Sequence, residues 1–334
     1  MSSSRRRTQA ATRPGDFGFP VATARGDDAD TRTPQAWMTR ATFGQTGALA
    51  VLLALHLSGP SLYGTASTIS ACAAILLFGL PHGALDLEII KRERGTGRAG
   101  IAALVMLYLG LAAAMATVWQ LTPVAALAIF LVVAVVHFAE DWPELRSTFL
   151  AQGMAIAFLT APALLHLNLL EQLFVALSGH RDGAAVANIM LLLVPVSIVV
   201  ASVSLWTLWR TGVRDQAVAG ALTLVGMLLL PPVVGFALFF CLYHSPRHLG
   251  TALSRVAGSP RARWVVPLAT LAALGIAVAL FVEEMRADVP AQVVAASFMT
   301  LSLLTVPHMI VPAVVARLTV LRSGGEGRRS PRAI

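Results

Sequence analysis

Five histidines sit inside or at the ends of long apolar stretches of this 334-residue chain: His82, His137, His244, His248 and His308. An imidazole in an apolar segment is costly, so five of them need a common reason. His82, His137 and His308 each precede a basic residue by nine positions (Lys91, Arg146 and Arg317), and His248 precedes Arg255 by seven. Nine helical residues rise about 13–14 Å, so rings on helices that run in one direction lie at one depth. His244 and His248 are an i, i+4 pair and project from one helix face. That arrangement suits two imidazoles on one metal, and nitrogen ligands of this kind favour Fe, Zn or Cu over hard oxygen-seeking ions.

Carboxylates accompany the rings. Asp86 follows His82 by four residues, and Glu140 and Asp141 follow His137 by three and four. A ligating imidazole usually passes its second N–H to such a group, which fixes the tautomer. Asp86 is expected to be such a partner, whereas Glu140 and Asp141 are equally readable as partners or as solvated helix-end charges. His308, alone on its segment, is either a fifth ligand or part of a pocket lining. Pro81, Pro246 and Pro307 adjoin or lie between these histidines. They predict kinks that open space beside the rings. His56, His166 and His180 fall near segment ends or in a loop and are expected to be interfacial or exposed.

The elements that must carry this layer are apolar helices. The chain is 56% hydrophobic and 13% charged. That composition fits a helical membrane protein better than two soluble domains. Apolar segments fall at 41–58, 66–90, 99–119, 122–140, 148–166, 185–208, 214–230, 233–253, 264–282 and 291–317. A turn at Pro231-Pro232 separates the seventh from the eighth. Ten spans with both termini cytoplasmic place every Lys and Arg on the inner side except Arg181, Arg247 and Arg286, as the positive-inside rule requires. The expected fold is therefore an all-α polytopic bundle of about ten transmembrane helices in the inner cell membrane. Residues 1–40 read as a disordered cytoplasmic tail, 41–321 as the transmembrane catalytic domain and 322–334 as a basic C-terminal tail. The net charge of +8 reports orientation in the bilayer, and nucleic-acid binding is not expected. Cys72 and Cys241 lie inside apolar runs and read as buried free thiols.

Three stretches, FGLPHGALDLEI at 78–89, HFAEDW at 137–142 and CLYHSPRHL at 241–249, resemble the Brp/Blh family of membrane-integral β-carotene 15,15′-dioxygenases. They occur in that family's order and span about half of the chain. The resemblance implies an Fe(II) centre held by His82, His137, His244 and His248, with an open position for O₂. It also implies central cleavage of a carotenoid to two molecules of retinal, with no side chain needed as a general acid or base. Phe138, Trp142, Phe236, Phe239 and Phe240 flank the histidines and are expected either to line an apolar substrate tunnel or to face lipid or pack as core.

Two other classes compete. A membrane-integral iron hydroxylase or desaturase resembles this chain in its histidines, but such enzymes carry about eight for two irons and use paired HH boxes that are absent here. A metal-ion or proton transporter needs ionisable groups through the full thickness of the bilayer. Stretches 66–77, 122–136, 233–243 and 291–306 contain no Asp, Glu, Lys, Arg or His, so the polar layer is one-sided. That pattern is expected of an enzyme acting on a lipophilic molecule.

Overall fold

The computed structural model describes the backbone of residues 32–59, 62–256, 258–287 and 290–326, with side chains over 44–317 apart from scattered positions that include Leu80 and His82. Every regular element among the described residues is helical. The chain runs through α1 (Arg32–Ser58), α2 (Thr65–Gly83), α3 (Asp86–Arg94), α4 (Arg98–Leu121), α5 (Pro123–Ala139), α6 (Thr148–Thr160) and α7 (Pro162–Ser178). It continues through α8 (Gly183–Arg210), α9 (Arg214–Leu229), α10 (Pro232–Phe239), α11 (Ser245–Arg255), α12 (Ala262–Ala287) and α13 (Pro290–Glu326).

Proline and glycine punctuate these helices as backbone chemistry dictates. Pro123, Pro162, Pro232 and Pro290 each open a helix, where the missing N–H has no partner to lose. Gly95 closes α3 at φ 59° and Gly179 closes α7 at φ 67°. Both are in the left-handed conformation that glycine adopts without strain. The expected turn at Pro231-Pro232 separates α9 from α10.

Three departures from the sequence reading matter for the site. The apolar stretch 66–90 is two helices, because the chain breaks at Ala84 and Leu85 before restarting at Asp86. Pro81 cannot donate to the preceding turn, which weakens the helix just before that break. Asp86 is therefore a first-turn residue of a new helix. The stretch starting at 148 bends by 55° between α6 and α7, and α7 is kinked at His166 (φ −129°, ψ 33°), where the apolar stretch was expected to end, before the helix resumes to Ser178. The stretch 233–253 is interrupted by a π-helical turn, Phe240–His244, ending at a site histidine, and Pro246 then sits in the first turn of α11. Single π-turns of this kind recur at functional sites.

α1 starts at Arg32, inside the stretch read as a tail, and α13 extends to Glu326, past the boundary expected at 321. Residues 1–31 and 327–334 of the two tails lie outside the described residues.

Among the described residues, α4, α8 and the 291–317 part of α13 are long and apolar enough to cross a membrane, and the bent α6–α7 pair makes a fourth only if its two helices form one span. The outer face of α8 shows a continuous apolar stripe of Ile189, Leu192, Val196, Val199, Val203 and Trp206, with Leu192 77% exposed. A stripe of that size suits contact with hydrocarbon. The inner face of α8 is built from small and hydroxylated residues. Thr160 and Ser197 hydroxyls meet at 3.0 Å, Ser204 donates to the Leu150 carbonyl, and Gly153 lets α6 approach Val200. Close approach over small residues is how helices associate where burial alone gives no driving force. α13 packs against α2, α4, α5, α7 and α12 and is the post around which the site assembles.

Candidate metal centre

His137 lies in the last turn of α5, His244 ends the π-turn after α10, and His248 is one turn into α11. The wider π-turn carries His244 inward. The i, i+4 relation brings His248 beside it, with ring centroids 4.5 Å apart. His137 meets both, at 4.6 Å from His244 and 4.8 Å from His248. One ligand atom from each of the three rings falls within 4.8 Å of the others, so this group could hold a metal ion. His137 and His244 are each at most 1% exposed.

The carboxylates behind the rings are assigned differently from their order in sequence. Asp141, 3% exposed, accepts from His244 Nδ1 at 2.9 Å and lies 3.4 Å from His248 Nε2. It therefore serves two imidazoles of other elements, while Glu140 is the residue near its neighbour, 3.6 Å from His137 Nδ1. Because Asp141 holds the Nδ1–H of His244, the Nε2 of that ring carries a lone pair, and it points at His137 Nε2 at 3.1 Å. Two imidazole nitrogens bound to one ion at about 2.0–2.1 Å and at right angles are about 3 Å apart. The donor set and its carboxylate backing therefore fit a first-row transition metal.

His308 approaches from α13 on another side, with its ring 5.0 Å from that of His137 and 6.4 Å from that of His248. Its Nδ1–H donates to Asp86 at 2.6 Å, and Tyr108 of α4 donates its hydroxyl to the same carboxylate oxygen. Asp86, expected beside His82, thus joins α3 to α4 and α13. The side chain of His82 lies outside the described residues. Its backbone position is the last turn of α2, next to Gly83, where an added Cβ would stand 3.2 Å from His308 Nδ1.

The five aromatics flanking the histidines divide. Phe236 lines a small apolar cavity, open on one side, together with Leu127, Phe130 and Ala134 of α5, Phe174 of α7 and Phe298 of α13. Phe138, Trp142, Phe239 and Phe240 form a packed layer with Phe158 and Tyr243: Trp142 stacks on Tyr243 at 5.2 Å and Phe240 on His244 at 5.3 Å. Phe236 stacks on Phe240 at 5.5 Å, so a single aromatic layer lies between cavity and imidazoles.

Sequence reasoning missed Tyr108, Arg247 and Tyr243. Arg247 Nη2 donates to the Asp141 carbonyl at 3.0 Å and its guanidinium lies 4.8 Å over the Tyr243 ring. This cation–π contact and the hydrogen bond lock α11 to the turn that carries Asp141. Arg247 stands between the two paired histidines, so its position was visible in sequence although its role was not. Tyr108 lies in an ordinary apolar helix and gave no signal. Away from the centre, the His166 ring contacts the Leu229 carbonyl at 3.3 Å and packs edge-on to Tyr63, which also meets His56.

Fold and site together define a helical chain with apolar spans and a buried histidine cluster suited to a metal. The family model described as beta-carotene 15,15′-dioxygenase matches residues 73–315, which contain all five histidines, and the chain belongs to that family. The chain is 27% identical to a beta-carotene 15,15′-dioxygenase from an uncultured marine bacterium over 263 residues, covering 72% of this chain and 90% of that protein. It is 26% identical over 307 residues to a probable beta-carotene 15,15′-dioxygenase Blh of Halobacterium salinarum, covering 79% of this chain and 88% of the relative. No solved structure matches the chain.

Proposed function

We infer that this chain is an inner-membrane, iron-dependent dioxygenase that cleaves the central 15,15′ double bond of β-carotene to two molecules of all-trans-retinal. The observation that carries the reading is the convergence of His137, His244 and His248 within 4.8 Å, inside a family named for this reaction. His82 is the fourth ligand in this proposal, at the end of α2 beside His308. Ten spans with both termini cytoplasmic complete the proposed topology, putting the histidine layer in the inner half of the bilayer.

Bound Fe(II) would supply the activation of O₂ at this site. The balance needs no reductant, since each carbon of the broken double bond takes one oxygen atom. The protein's part is to hold neutral imidazoles in one tautomer, exclude water and present one bond of the polyene. Asp141 fixes His244 and His248 through their outward nitrogens, and Arg247 fixes Asp141. Such outer partners set both ring direction and ligand basicity. The cavity beyond Phe236 is the proposed seat of one arm of the carotenoid, with the rings of Phe130, Phe236 and Phe298 against the polyene. An apolar lining gives the rod no polar group to stop at, so cavity shape decides which bond reaches the centre.

Expression in a host that accumulates β-carotene tests this directly. Loss of orange colour with formation of retinal is expected, and alanine at His82, His137, His244 or His248 should abolish both cleavage and iron retention. Unchanged pigment in cells whose purified protein holds one iron per chain would overturn the substrate. Full activity and iron content in the alanine variants would overturn the ligand set.

A further inference from the structure

We propose that Tyr108 is a positioning residue for the metal centre: acting through Asp86, it sets the orientation and tautomer of His308, so that the ring's remaining nitrogen faces the imidazole cluster. This rests on the metal reading given above and adds an arm to it. Asp86 begins α3 immediately after the break in the apolar stretch, and its carboxylate turns into the protein, where it is 8% exposed. A carboxylate in that position requires strong donors. It has two on one oxygen, the Tyr108 hydroxyl from α4 and His308 Nδ1–H from α13 at 2.6 Å.

Two consequences follow from the chemistry of imidazole. Donation from Nδ1 leaves Nε2 as the unprotonated nitrogen of a neutral ring. It also aims Nε2 to the side of the ring away from Asp86, and the ring itself is 5.0 Å from that of His137. The cluster thus has two carboxylate clamps: Asp141 behind His244 and His248, and Asp86 behind His308. Asp141 is steadied by Arg247, and Asp86 by Tyr108. Without the Tyr108 hydroxyl, Asp86 has one restraint fewer, and the His308 ring loses its fixed direction.

The test uses full-length protein in detergent, loaded with Co(II) in place of iron, because the visible d–d bands of cobalt report ligand number and geometry independently of turnover. Tyr108→Phe keeps the ring and deletes only the hydroxyl. The expected result is a changed band pattern that matches the pattern of His308→Ala, with cobalt lost to a competing chelator on the order of 10-fold faster than from wild type. In a His308→Ala background the Tyr108 change should have no further effect, because its path runs through that ring. Asp86→Asn should reproduce the same spectrum. An unaltered spectrum in Tyr108→Phe, or effects that add in the double variant, would overturn the proposal. Failure of the wild-type protein to take up cobalt or iron would instead overturn the metal reading, so the two failures are distinct.

Discussion

Replacing Asp141 by asparagine removes one charge and one acceptor without changing shape, and the structure fixes what should follow. Oδ2 of Asp141 receives the His244 Nδ1–H at 2.9 Å, and Oδ1 lies 3.4 Å from His248 Nε2. An asparagine can accept through one position only, and its amide N–H₂ must face the other ring. That ring then turns a lone pair toward the amide and keeps its proton on the nitrogen that should serve the metal. One outer-sphere carboxylate partner contributes about 10–100-fold to metal affinity. One ring loses its acceptor while the other keeps one, so the expected loss is about 10–100-fold, or about 1.4–2.7 kcal/mol at about 1.36 kcal/mol per decade. Metal affinity measured by competition with a chromophoric chelator, alongside retinal formation in the same preparation, checks this. Glu140→Gln is the internal control. Glu140 lies 3.6 Å from His137 Nδ1. That is beyond good hydrogen-bond range, so its loss should cost about 10-fold or less. Asp141→Asn binding metal within threefold of wild type, or Glu140→Gln weakening it more, would refute the assignment of Asp141 as the shared clamp.

Filling the cavity tests its role as substrate seat. Ala134 is 2% exposed and lies on the cavity wall. Ala134→Phe should lower kcat/KM for β-carotene by about tenfold, within the range of about 1–3 kcal/mol for overpacking, with metal content unchanged. An equal loss on a much shorter polyene substrate would show that the cavity does not hold the distal arm. Stability should depend on the α6–α8 contact, where a Cβ at position 153 would stand 2.1 Å from Val200 Cγ1. Gly153→Ala should destabilise the detergent-solubilised protein by about 1–3 kcal/mol in thermal unfolding, and Val200→Ala in the same chain should restore most of the loss. A silent Gly153→Ala would mean that the two helices separate at little cost.

The helical class, the break at Pro231-Pro232 and the gathering of histidines on separate apolar segments were all legible in the order of residues. These follow from local causes: hydrophobic runs, proline's missing N–H and the rise of a helix per residue. The same local reading put Glu140 and Asp141 near the site without deciding whether they served it. Three-dimensional packing decided that question, because partners were chosen across helices. Asp141 turned from its sequence neighbour His137 to His244 and His248, and Asp86 was claimed by Tyr108 and His308, residues 22 and 222 positions away. The aromatic residues were legible as a group but not in their division, since only the bend between α6 and α7 and the start of α10 define where the cavity lies and leave Phe236 on its wall. A hydrogen bond or cavity wall between remote segments depends on the relative rotation and depth of whole helices. That placement comes from the summed packing of their faces, of which no single stretch of sequence carries the record.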